Sequence, residues 1–139
     1  MAAAPHRRKR WPLALAAVLA AYGVALLSLV LSLPGEGGAR DWIAPLSPGG
    51  WMAWSFPTAV FFLTILALLA LMAVWEYARP GGSPRRGLLR FETTRGDRLF
   101  ISLLGAAFIN LAWLGLVGPN LWWSLALSLI YALIVFRTV

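Results

Sequence analysis

Few residues in this chain have chemistry to offer, and their positions limit what that chemistry can be. Asn110 is the most polar side chain inside the long apolar stretches, and Ser102, Ser124 and Ser128 accompany it. An amide surrounded by hydrocarbon needs a hydrogen-bond partner, and a neighbouring helix supplies one at about 0.6–2 kcal/mol. Interhelical adhesion is therefore the first reading of these four residues, and contact with a small neutral solute is the second. Ser102, Gly105 and Ala106 on one stretch, with Ser124 and Ser128 on the next, are also small enough to let two helix backbones approach closely.

The second group is charged. Glu76 stands in Trp75-Glu76-Tyr77-Ala78-Arg79, three residues before Arg79 and on the same helical face. At the end of an apolar stretch, such a pair reads as a local ion pair or a partner contact and not as a proton carrier. Beyond it come Arg85, Arg86, Arg90, Arg95 and Arg98, with Asp97 beside the last. A basic segment of this kind meets anionic lipid headgroups at about 1 kcal/mol per residue, or docks against an acidic protein face. Leu88, Leu89 and Phe91 suit the membrane interface, and Thr93, Thr94 and Asp97 are expected to cap the helix that follows.

The missing parts exclude several activities. With no Cys there is no thiol catalysis, thiolate metal site or disulfide. His6 lies in a basic tail without metal-ligand company. No Gly-x-x-x-x-Gly-Lys loop is present to cradle a nucleotide phosphate. No His or carboxylate falls near the middle of an apolar stretch, which argues against an intramembrane protease and a self-sufficient proton-coupled transporter. The expectation is a non-catalytic protein without cofactor or metal.

The elements that must position these residues follow from composition. Of 139 residues, 60% are hydrophobic and 12% charged, whereas soluble domains run near half apolar and about a quarter charged. The chain reads as an all-α polytopic membrane protein with four transmembrane helices, over about 11–33, 56–75, 99–117 and 121–136. Gly118-Pro119-Asn120 makes the last two a tight hairpin. Of the twelve basic residues, all but Arg40 fall in the tail, the central loop or after the fourth stretch. Positive residues are retained on the cytoplasmic side, so both termini are expected there. The net charge of +7 then orients the chain and gives no reason to expect nucleic acid. Trp51, Trp54, Trp122 and Trp123 at the outer ends, and Trp75 at an inner end, are expected interface anchors. The first stretch is too long for a signal peptide and reads as an uncleaved anchor.

From Trp51 onward the chain resembles a family of small bacterial integral membrane proteins of unknown function. The resemblance rests on Trp51-Met52-Ala53-Trp54, Pro57-Thr58, Trp75-Glu76 and the string Thr93-Thr94-Arg95-Gly96-Asp97-Arg98-Leu99-Phe100. Gly105, Phe108-Ile109, Trp113 and Leu121-Trp122-Trp123 also take part. It divides the chain into an N-terminal extension, 1–50, with one helix, and a three-helix domain, 51–139. Members are often encoded in operons for glycerol ABC transporters. The resemblance thus implies residence in the bacterial cytoplasmic membrane and an accessory role beside ABC permease or ATPase subunits that import glycerol or a related polyol. The residues by themselves leave open an oligomeric passive pathway for a neutral solute and a lipid-binding or assembly role.

Overall fold

Unbroken apolar runs opened by proline build the first two helices. Pro12 and Pro57 lie within the first two positions of α1, Trp11–Leu31, and α2, Phe56–Ala78. There a missing N–H costs nothing, because no intrahelical partner exists for it. A two-stranded antiparallel ribbon follows, β1 Arg85–Arg86 and β2 Glu92–Thr93, then α3 Arg95–Leu116 and α4 Trp122–Thr138. The computed structural model describes residues 10–35, 37–81, 84–88 and 90–139. The expectations for His6, the basic residues before Arg10, and Leu89 lie outside the described residues.

The helices agree in number with the four apolar stretches, and they differ at the edges for local reasons. α3 begins at Arg95 and not near 99, because Thr94 caps it: the Thr94 side chain accepts from the Asp97 N–H while Asp97 Oδ2 accepts from the Thr94 N–H. Asp97 belongs to that capping box as expected, but Thr93 does not; it pairs with Arg85 in the ribbon. The ribbon corrects the reading of 79–98 as loop. Two residues per strand are too few for an alternating pattern to register in sequence.

Three of the helices, α1, α2 and α3, are long and apolar enough to cross a membrane, and α4 is a shorter apolar helix of 17 residues. The solvent preference of the fold is inverted. α1 and α2 bury no residue fully, and large side chains such as Val24, Leu27, Phe61, Phe108 and Leu129 are more than half exposed. Among the described residues the buried polar set is Thr93, Arg98, Ser102, Ser124 and Ser128, against only Leu33, Leu99, Val135 and Val139 among hydrophobics. Apolar outside and polar inside is the arrangement that a hydrocarbon surrounding selects.

The chain divides into two compact units at Pro80/Gly81. In the first, α1 packs on α2, and Tyr22 Oη lies 2.9 Å from Thr64 Oγ1. Thr64 donates its one hydroxyl proton to the Val60 carbonyl, 2.7 Å, so Tyr22 is the donor between the helices. Ahead of α2, the Asp41 carboxylate accepts from the N–H groups of Ile43 and Ala44, and Leu46 N–H donates to the Trp54 carbonyl.

In the second unit, α3 packs on α4 with contacts in antiparallel order. Asn110 meets Ser124 and Ser128, and Tyr131 Oη donates to the Ile101 carbonyl at 3.4 Å. Gly105 sets the closeness of the pair, since any Cβ there would overlap the Tyr131 ring. Gly105→Val is expected to destabilise the α3–α4 pair by about 1–3 kcal/mol through overpacking. Gly115→Val, whose Cβ would meet nothing within 4 Å, is expected to leave it intact. Unfolding in mixed micelles measures the difference, and equal losses would remove Gly105 from the packing argument.

Candidate functional site

Two polar clusters lie in the second unit. The first is a seam between α3 and α4 around Asn110. Its amide nitrogen donates to the Ala106 carbonyl at 2.8 Å and to Ser128 Oγ at 3.0 Å. Its amide oxygen accepts from Ser124 Oγ at 2.7 Å, and Ser128 Oγ donates back to the Ser124 carbonyl at 2.8 Å. Both amide protons are therefore used, and each serine hydroxyl has a place for its proton. Ser124 and Ser128 are buried, Asn110 half-buried. Ser102, grouped with them in the sequence reading, does not join: its hydroxyl donates to the Arg98 carbonyl one turn back, at 2.7 Å.

A shallow cleft of about 630 Å³ opens beside the seam, lined by Asn110, Pro119, Asn120, Leu121, Trp122 and Leu125. Trp113 Nε1 donates to the Asn120 carbonyl at 3.0 Å and ties the turn to α3. Amides and hydroxyls neither titrate near neutrality nor supply an activated nucleophile, so the seam can hold helices together or present one carbonyl lone pair to a neutral ligand.

The second cluster is a basic corner where the ribbon meets the start of α3 and the end of α4. Thr93 is fully buried; its hydroxyl is 2.8 Å from the Val139 main-chain oxygen and 3.3 Å from that of Arg85. Arg98 is 7% exposed, and its Nε and Nη2 donate to Thr93, to Oγ1 at 3.4 Å and to the carbonyl at 3.2 Å. Gly87 lets this happen: a Cβ there would run into the Thr138 and Val139 backbone, and the Leu88 N–H donates to the Thr138 carbonyl at 2.9 Å. Arg86 pairs with Glu92 at 3.6 Å. Arg90 takes a left-handed φ of 60° in the turn, where its N–H donates to the Gly87 carbonyl. The burial of Arg98 on Thr93 was not legible in sequence, where both read as ordinary loop and cap residues.

The other charged candidates, Glu76 and Arg79, stand exposed at the end of α2 in the first unit, each already engaged. Of the expected anchors, Trp51, Trp122 and Trp123 are widely exposed, Trp75 less so. Trp54 packs edge-on against Phe62, and Trp42 against Phe56. Tyr22 and Thr64, the polar pair of the first unit, were not anticipated; a lone Tyr and a Thr on separate apolar helices carry no sequence signal of their contact. Among the described residues no three His, Asp or Glu are placed to hold a metal ion.

Residues 51–139 match the family described as predicted small integral membrane protein (DUF2160). The chain belongs to this family of small integral membrane proteins. No curated protein and no solved structure matches the chain. The family region includes α2, both strands, α3 and α4, and so contains both polar clusters whole.

Because the seam bonds Asn110 to two serines, Asn110→Ala is expected to cost about 0.6–2 kcal/mol of α3–α4 stability. A double-mutant cycle with Ser128→Ala checks this: the double variant is expected to lose less than the sum of the single losses. Strict additivity would show that the 3.0 Å contact contributes nothing.

Proposed function

We propose that this protein is a non-catalytic, four-span subunit of the bacterial cytoplasmic membrane that accompanies an ABC importer of glycerol or a related polyol. The observation that carries the reading is the closure of the Asn110 seam on itself. With its donors satisfied within α3–α4, the seam holds structure, and the chemistry left for others is the basic ribbon region and the apolar helix faces. Those surfaces suit binding to lipid and protein, and among the described residues they present no acid, base and nucleophile arranged for a reaction. The company that the family keeps, in glycerol ABC-transporter operons, supports the choice of partner.

The arrangement in the membrane belongs to the same proposal. α4 spans about 25 Å at 1.5 Å per residue, at the short end of the crossing range. With α4 across, the chain makes four passes, and the placement of all basic residues but Arg40 supports cytoplasmic termini. Arg79, Arg85, Arg86, Arg90 and Arg95 then face the cytoplasm, where an ATPase subunit would be met, with Arg98 buried behind them.

One observation favours a second reading, an oligomeric pathway for a small neutral solute: the cleft beside Asn110. Purification of the tagged chain from native membranes is expected to recover a permease or ATPase subunit. Recovery of the protein with no importer subunit, together with polyol flux in proteoliposomes containing it alone, would replace the first reading with the second.

A further inference from the structure

The basic corner holds a buried guanidinium, that of Arg98, one hydroxyl away from the Val139 main-chain oxygen that Thr93 bonds at 2.8 Å. Arg98 is more than nine-tenths buried, and its neighbours by charge are unfavourable: Arg85 and Arg95 act on it more strongly than Asp97 does. Asp97 is turned toward Thr94, which it bonds through one carboxylate oxygen at 2.7 Å from both the N–H and the hydroxyl. Among the described residues, no carboxylate forms an ion pair with Arg98, and the nearby Glu92 is paired with Arg86. A guanidinium removed from water among like charges is costly unless an anion joins it.

The hydrogen bonds leave room for that anion. Thr93 takes Nε and Nη2 of Arg98, which fixes the plane of the guanidinium. Among the described residues no fully buried side-chain nitrogen lacks a partner, so the remaining nitrogen of Arg98, Nη1, reaches the surface. The ribbon register sorts the other arginines. Arg85 is opposite Thr93 and Arg86 opposite Glu92, and successive strand residues point to opposite faces. Arg85 thus shares the face of Thr93 and Arg98, whereas Arg86 is on the other face with its carboxylate. Exposed apolar side chains of the ribbon turn adjoin the corner, with Leu88 at 80% and Phe91 at 52%.

We propose that Arg85, Arg95 and Arg98 form a binding site for a phosphate group, filled by the headgroup of an anionic phospholipid whose acyl chains rest against Leu88 and Phe91. Planar guanidinium groups match phosphate oxygens in charge and geometry, with Arg98 pre-aligned by Thr93. The apolar border favours a lipid over a soluble phosphate ester, which would gain nothing from it. The site stands independently of any importer partnership.

The test uses the full chain in detergent micelles, titrated with short-chain phosphatidylglycerol, with phosphatidylcholine of the same chains, and with glycerol phosphate. Bound lipid is read by native mass spectrometry, and protection by the thermal unfolding midpoint. One phosphatidylglycerol is expected to bind in preference to phosphatidylcholine, with affinity falling about tenfold or more in Arg85→Gln and Arg95→Gln. Arg86→Gln, outside the site, is expected to stay within about twofold. Arg98→Lys, which keeps the charge and loses the fork, is expected to weaken binding even where its fold is retained. Equal binding of the two lipids, or equal losses in Arg85→Gln and Arg86→Gln, would overturn the site. Protection by glycerol phosphate with the same arginine dependence would overturn the lipid assignment.

Discussion

Hydrocarbon offers no hydrogen bonds, and the organisation of this protein follows from that constraint. Each polar group placed among the apolar helices must find its partner in the protein. Asn110 finds Ser124, Ser128 and its own helix backbone; Tyr22 finds Thr64; Ser102 finds the Arg98 carbonyl. Among the described residues the buried polar groups are hydroxyls and one guanidinium, with the Asn110 amide half-buried beside them, while most leucines, valines and phenylalanines face outward. Packing between helices in lipid gains little from apolar burial, so close approach and polar contacts decide which faces meet. Gly105 beneath Tyr131 and the Asn110 seam supply these two contributions on one pair of helices.

The second unit has two ends of different character. At the end with the Gly118-Pro119-Asn120 turn, the polar groups are neutral and satisfied, and Trp113 closes over the turn through the Asn120 carbonyl. At the opposite end the groups are charged, and the ribbon packs its backbone against the end of α4 where Gly87 leaves space. Neutral groups can be satisfied by pairing among themselves, but a cluster of like charges cannot. The end with the turn is therefore built from neutral groups bonded to one another, whereas the basic end combines the Arg86–Glu92 pair with Arg98 held on Thr93. That asymmetry separates the polar groups that hold α3 and α4 together from the charged groups of the ribbon.

How legible this was depends on the range of the interaction. Apolar stretches of about 20 residues exceed what a soluble fold needs, so the helices, the membrane class and the turn at Gly118 could be read from composition and length. The capping box was partly legible because Thr94 and Asp97 are three residues apart, a local spacing. Thr93 was misassigned as a cap because nothing local separates it from Thr94; only its contacts with Arg85 and Val139 do so. Ser102 was grouped with Asn110 by residue type, yet its position directs its hydroxyl to the backbone one turn back.

The sequence by itself determined the solvent, the helix count, the polar residues available and the bias of positive charge, because these are sums or spacings along the chain. Tertiary structure decided which of those residues meet. It paired Asn110 with Ser124 and Ser128, separated Arg85 from Arg86 by the alternation of a two-residue strand, and buried Arg98 on Thr93. The physical reason is that hydrogen-bond satisfaction in a medium without water is a property of neighbours in space, and neighbours 14 or 46 positions apart leave no periodic trace in the chain.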